Sequence, residues 1–262
     1  MIIVADGAVP KVHEIVAKLN IEAAVLRTEG EGRSAARNLG AMAASGEILV
    51  FLDDDILVGP DFLESHLRAQ TESPALVHGR LLELIGLIRV DDPRDGGPGC
   101  PPIKLQDLEA GNWRPDGCRT TANALERAAE SYFQGRLDVD APWLAGAGAN
   151  LSLPKGYWEA VDGFDEAFGL RWGMEDLDLA FRLHQSGHGI RYDNSPIGYH
   201  MSHHNPDRWE DHKINLELFA RRAATPEATA LAHLLAPDGS PERYEQAVHQ
   251  IRAEGVSPLP QA

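Results

Sequence analysis

Three groups of side chains in this sequence have the types and spacing for chemistry. Asp53, Asp54 and Asp55 stand together at the end of the apolar run "EILVFLDDD". Glu175 and Asp176 open "EDLDLAFRLHQ", and His200, His203 and His204 fall in "YHMSHH". Adjacent carboxylates repel one another unless water, backbone donors or a cation relieves them. One reading of the aspartates is a solvated strand end, with Asp61 capping the next helix. The other is a divalent-cation site at the carboxyl edge of a sheet, where open α/β sheets usually bind ligands. Oxygen and nitrogen donors from the three groups suit Mn²⁺ or Mg²⁺, and an ion with open positions can hold a diphosphate. Plainer explanations stand beside these: Glu175 and Asp176 sit where acidic side chains favour a helix N-terminus, and the histidines could be solvated surface residues. Convergence of all three groups would separate the readings.

The elements that must position them follow from periodicity. "IIVA", residues 2–5, and "AAVLRT" read as strands around a helix in "KVHEIVAKL", where Val12, Ile15, Val16 and Leu19 recur at helical spacing. "GRSAARNLGAMAASG" reads as an Ala-rich helix stopped at Gly46, followed at once by strand 47–52. This alternation predicts a parallel sheet with right-handed crossovers. Beyond the aspartates, Pro60 and Asp61 start a helix and "PALVHGRLLEL" reads as a strand. Residues 91–120, rich in Gly, Pro and Asp, read as a long surface excursion. "TTANALERAAESYF" restores helix, and regular structure resumes over 143–154. Tyr157, Trp158, Val161 and Phe164 mark a short helix; Leu177, Ala180, Phe181 and His184 mark the buried face of the next. "GIRYD" and "PIGYHM" look like edge strands. The division expected is a main domain over 1–224 and a helical C-terminal appendage over 225–262.

Composition limits the partners. The 262 residues are 43% hydrophobic and 24% charged, which fits a soluble globular chain. A net charge of −16 argues against a nucleic-acid backbone as the main partner. No apolar run approaches the ~20 residues of a membrane span. The opening "MIIVADGAVPKV" lacks the basic region of a signal peptide, so a cytoplasmic location is expected. Cys100 and Cys118 have no accompanying histidine spacing and read as free thiols.

Taken together, the motifs resemble those of GT-A glycosyltransferases. "GRSAARNLGAMAASG" followed by "EILVFLDDD" is similar to the Asp-x-Asp region of that fold. "GAGANLSLPKGYWEAVDGFDEAF", "WGMEDLDLAFRL" and "YHMSH" resemble the acceptor half of its inverting members: family 2 enzymes, chondroitin-type polymerases, polypeptide N-acetylgalactosaminyltransferases and β-1,4-galactosyltransferases. The likeness covers about residues 2–220. It implies an α/β fold with a mostly parallel sheet flanked by helices, lacking the family's usual first strand and helix. It also implies metal-dependent, inverting transfer of a sugar from a nucleotide sugar, expected to be a UDP-sugar, to an acceptor hydroxyl. Carried over residue by residue, the resemblance assigns Asp53, with Asp54 beside it, to the donor, and Asp55 to the metal with His203 and His200. Asp6 would recognise the nucleobase, and Arg33, Arg37 and Asn38 would line the nucleotide pocket. Asn150 and Trp172 would contact the donor sugar and acceptor; Asp176 would be the catalytic base, with Glu175 holding the sugar or acceptor. The short N-terminus would leave strand 2–5 with a bare apolar edge, to be covered by an element from the tail after residue 225 or by a second chain, or else left as an exposed, weakened site; of these, association as a homodimer is the favoured expectation. One rival reading is a domain that binds a nucleotide sugar or a partner protein without turnover. Another, a nucleotidyltransferase, would want a Gly-rich, basic phosphate loop that "VADGAVPKV" does not offer.

Overall fold

The computed structural model describes residues 1–7, 11–19, 22–85, 102–104, 106–107, 110, 113, 117–201 and 208–255. Strands β1 (Ile2–Asp6) and β2 (Ala24–Thr28), joined through helix α1 (Val12–Leu19), pair in parallel as a small sheet of their own. Helix α2 (Arg33–Ala43) buries Ser34, Ala35, Asn38 and Ala41 and leads into β3 (Ile48–Leu52), which ends at the aspartates. There follow β4 (Ile56–Val58), α3 (Phe62–Glu72), β5 (Leu76–Ile85), β6 (Arg119–Thr121) and α4 (Ala124–Phe133). The chain continues through a 3₁₀ turn over Pro142–Gly146 to β7 (Asn150–Pro154) and α5 (Lys155–Ala160). Next come α6 (Glu175–Gln185), β8 (Ile190–Met201), α7 (Arg208–Ala223), α8 (Pro226–Leu235) and α9 (Pro241–Glu254). Asp61 occupies the position before α3, but its side chain accepts no capping bond. Nothing in the sequence reading anticipates α7.

The α/β class with a central sheet and flanking helices holds, but the strand directions differ from expectation. The main sheet runs β3-β7-β5-β8-β4, with β6 added to β5. Pairs β1–β2 and β5–β8 are parallel, whereas β3–β7, β5–β7, β4–β8 and β5–β6 are antiparallel. The strand-helix alternation that predicts parallel pairing covers the first three strands alone; β7 arrives later and inserts between β3 and β5 in the opposite sense.

Nor are "GIRYD" and "PIGYHM" two separate edge strands. They are one continuous strand, β8, whose "GIRYD" half pairs with β5 alone and whose second half lies between β5 and β4. What divides them in sequence is a bulge: Gly79 faces Asp193, yet Leu81 already faces Gly198, and the extra residues of β8 include Pro196. Proline donates no ladder hydrogen bond and is tolerated at bulges.

The C-terminal helices are no appendage. Leu231 and Leu234 of α8 and Tyr244 and Val248 of α9 belong to the same buried cluster as Trp143, Leu151, Phe164, Leu177 and Phe219. Caps fix both helices, with Thr225 accepting from the Ala228 N–H and Ser240 from the Arg243 N–H. The described part of the excursion also enters a core, because Ile103 and Trp113 are buried against Leu84. Cys118, expected as a free thiol, is disulfide-bonded, and Cys100 lies outside the described residues. Among the described residues no helix is long and apolar enough to cross a membrane.

Candidate active site

Gly173 (φ 90°) and Met174 (φ 77°) turn the chain in succession into α6, so that Glu175 and Asp176 occupy its first turn. A non-glycine residue in this left-handed region is strained, of order 1–3 kcal/mol, and persists where neighbours impose it. Here Asn215 of α7 imposes it, its Nδ2 donating to the carbonyls of Phe168, Arg171 and Gly173 at 3.3, 3.3 and 2.9 Å. Asp176 accepts from the backbone N–H of Gly148 (2.7 Å) and of Leu177 (2.8 Å). Burial and the neighbouring Glu175 carboxylate push Asp176 up to about 6, against the pull of Arg37 and the two N–H donors. A Cβ at Gly148 would stand 3.0 Å from Asp176 Cβ and 3.1 Å from the Arg37 guanidinium carbon, so this approach needs glycine.

Arg37 joins the two halves of the site. Its guanidinium donates from Nη1 to Glu175 Oε1 (2.7 Å) and from Nη2 to Asp53 Oδ1 (2.9 Å), over the face of the Phe164 ring at 5.4 Å. Burial works against its charge, but Asp53, Glu175 and Asp176 outweigh this and hold the guanidinium more firmly protonated than usual. Asp53 at the strand end and Glu175 at the helix start are therefore joined through the Arg37 guanidinium.

Asp55, across the β3–β4 turn, faces His200: Oδ2 and Nε2 lie 3.2 Å apart. On its other side, His200 donates from Nδ1 to Glu83 Oε2 at 2.7 Å. Desolvation opposes a charged imidazole, yet the hydrogen bonds from Asp55 and Glu83 prevail and raise His200 to about 10. This donor set stabilises positive charge between Nε2 and Oδ2. A carboxylate, an imidazole and an orienting carboxylate behind it fit a divalent cation. Among the described residues no three His, Cys, Asp or Glu side chains are arranged around a common point for a metal, and His203, the further expected ligand, lies outside them with His204.

Several expected ligand contacts are instead fastenings of the fold. Asn150 is fully buried: Nδ2 donates to the carbonyls of Arg80 (3.1 Å) and Pro196 (2.9 Å), and Oδ1 accepts from His66 Nε2 (2.8 Å). It holds the β5–β8 bulge and has no amide group left for a sugar. His66, kept neutral by burial, accepts in turn from Ser152 Oγ. Asn38 is equally committed, donating to the Phe164 carbonyl and Glu166 and accepting from Trp158 Nε1 and the Phe164 N–H. Asp6 is exposed, but its carboxylate takes Thr28 Oγ1 and the N–H groups of Glu31 and Gly32, fixing the loop before α2. Arg33 and Asp54 are exposed near the rim. Trp172 packs against His212, ring centroids 4.8 Å apart and planes inclined by 34°, so α7 supports this loop a second time.

Residues 1–86 match the family model "Glycosyl transferase family 2", and residues 133–204 match the model "N-terminal domain of galactosyltransferase". The first contains Asp53 and Asp55, the second Glu175, Asp176 and His200. The chain has a GT-A fold. Validoxylamine A glucosyltransferase of Streptomyces hygroscopicus subsp. jinggangensis (strain 5008) is 31% identical over 198 residues, 71% of this chain and 43% of that protein. Polypeptide N-acetylgalactosaminyltransferase 3 of Taeniopygia guttata is 28% identical over 196 residues, 71% of this chain and 30% of that protein. The crystal structure of GalNAc-T7 with UDP, GalNAc and Mn²⁺ shares the fold at a TM-score of 0.51 and 13% identity, covering 97% of this chain and 51% of that one. The chain thus spans less than half the length of either curated relative. Sequence reasoning missed the residues that support its site: Glu83, Gly148, Phe164 and Asn215. Gly148 and Phe164 lie in "GAGANLSLPKGYWEAVDGFDEAF" without a chemical group that marks a role, Glu83 and Asn215 lie in no quoted motif, and the fold brings these four to the motif residues.

Proposed function

We propose that this protein transfers a sugar from a nucleotide sugar, a UDP-sugar, to an acceptor hydroxyl, with inversion and with dependence on a divalent cation. The observation that carries the reading is the bridge through Arg37, which places a carboxylate held near pKa 6 beside the strand-end aspartates. Asp176 is ionised at neutral pH yet basic enough to take the acceptor proton as that hydroxyl oxygen bonds to the anomeric carbon and the nucleoside diphosphate leaves from the opposite face, a single displacement that inverts the centre. Glu175, neutralised by Arg37, fixes the geometry beside it. Asp53, about one-third exposed, is available to the donor. Mn²⁺ or Mg²⁺, held by Asp55 and His200 with His203 expected to join them, would offset the charge of the departing diphosphate. Relatives named as glycosyltransferases, and a fold neighbour solved with UDP and Mn²⁺, support the same reading.

A panel of nucleotide sugars tests it. Diphosphate should be released in the presence of Mn²⁺, from UDP-sugars above others, and should cease with EDTA. The second reading, binding without turnover, draws on Asp6, whose carboxylate serves the loop before α2 rather than a free pocket. It predicts nucleotide binding with no release. Association as a homodimer through β1 is a further proposal, supported by the part-exposed Ile2, Ile3 and Val4, and dilution should then lower solution mass and UDP affinity together.

A further inference from the structure

We propose that Glu83 is the positioning residue of the cation site, fixing the tautomer and aim of His200 without itself binding the ion. The inference rests on the reading of Asp55 and His200 as cation ligands. Glu83 and His200 are direct partners in the parallel β5–β8 pairing, so their side chains leave the sheet on one face. Oε2 of Glu83 takes the Nδ1–H of His200 at 2.7 Å, and Oε1 accepts from Asn123 Nδ2 at 3.4 Å, so both oxygens are engaged. With Nδ1 committed to Glu83, Nε2 is the ring nitrogen turned toward Asp55. Glu83 lies at the ring nitrogen remote from Asp55, so it cannot share an ion with Asp55 unless it first releases the imidazole. A ligating histidine whose other N–H meets a carboxylate is the usual arrangement by which a protein sets ligand basicity and direction.

The bulge makes this pairing possible. A one-residue slip in register would send His200 to the opposite face from Glu83. Two buried side chains prevent it: Glu126 accepts the Leu81 N–H at 3.0 Å, and Asn150 holds the carbonyls of Arg80 and Pro196. Glu126 is itself fixed by Tyr192 (2.6 Å) and by His78 (2.8 Å). The buried network thus has a role in the site, delivering Glu83 opposite His200.

Mn²⁺ binding by the full chain in the presence of UDP, followed by calorimetry and by the paramagnetic signal of free Mn²⁺, tests the assignment. Glu83→Gln should weaken Mn²⁺ binding by about 10–100-fold while the metal-free unfolding temperature stays at the wild-type value. In a His200→Ala background the same substitution should add nothing, because the two act as one unit. Unchanged Mn²⁺ affinity in Glu83→Gln, or full additivity with His200→Ala, overturns the inference alone. Wild-type protein that binds no Mn²⁺ overturns the cation reading, and the inference with it.

Discussion

Asp176 gives the sharpest prediction at the scale of single residues. Its carboxyl is raised to about 6 by burial and by Glu175, so it is protonated and idle as a base below that pH and ionised above it. The value of kcat/KM should therefore climb about tenfold per pH unit below 6 and level off above it. Asp176→Asn should abolish this limb and lower transfer by roughly 10²–10⁴ while leaving UDP binding intact. A reading of Asp176 as a helix cap predicts a stability loss and no change in the pH profile. Arg37 holds Asp176 down, so Arg37→Gln should move the limb to higher pH. It should also cost about 3–5 kcal/mol in urea unfolding, because Glu175, only 4% exposed, loses its partner. Where the acids stand was legible in the sequence, since "WGMED" and "FLDDD" place them at a helix start and a strand end. Which asparagines matter was not: Asn38 and Asn150 have the chemistry of ligand contacts, and only the partners around them reveal fastenings.

At the scale of elements, local pattern located every strand end that bears an acid, but not how the strands join. Periodicity reports which face of a strand is buried and says nothing of its neighbour's direction. Four antiparallel pairings and the bulge in β8 were therefore invisible, and the bulge made one strand read as two. Helix α7 lies between the histidine cluster and residue 225, where no motif drew a reading, although its Asn215 fixes the strained turn into α6. Asn150→Ala isolates the bulge experimentally. It strips hydrogen bonds from the carbonyls of Arg80 and Pro196 in the sheet and from His66 on α3, and should cost roughly 2–4 kcal/mol in urea unfolding. A direct contact to the donor sugar would instead raise KM and leave stability alone.

At the scale of the whole molecule, the question is whether residues beyond 225 form a unit apart. Their apolar side chains are continuous with the core that carries α6 and β7, so the molecule should unfold in one transition seen alike by near- and far-ultraviolet circular dichroism. Leu231, fully buried, tests the continuity: Leu231→Ala should cost about 2–5 kcal/mol and shift that single transition as a whole. An independent appendage would show a second transition, with only that one displaced. Tyr244 on α9 sharpens the test from the opposite side. Its ring is fully buried in the same cluster, yet its hydroxyl has no hydrogen-bond partner, and burial with Glu227 nearby drives the phenol well above its ordinary range. A buried hydroxyl without a partner keeps its desolvation cost, about 1–3 kcal/mol, and gains nothing in return. Tyr244→Phe removes that cost and leaves the packing of the ring, so the entire protein should gain stability, by about 1 kcal/mol. Loss of stability in Tyr244→Phe would mean that the hydroxyl is satisfied in solution, and a gain confined to part of the unfolding curve would separate α8 and α9 from the core.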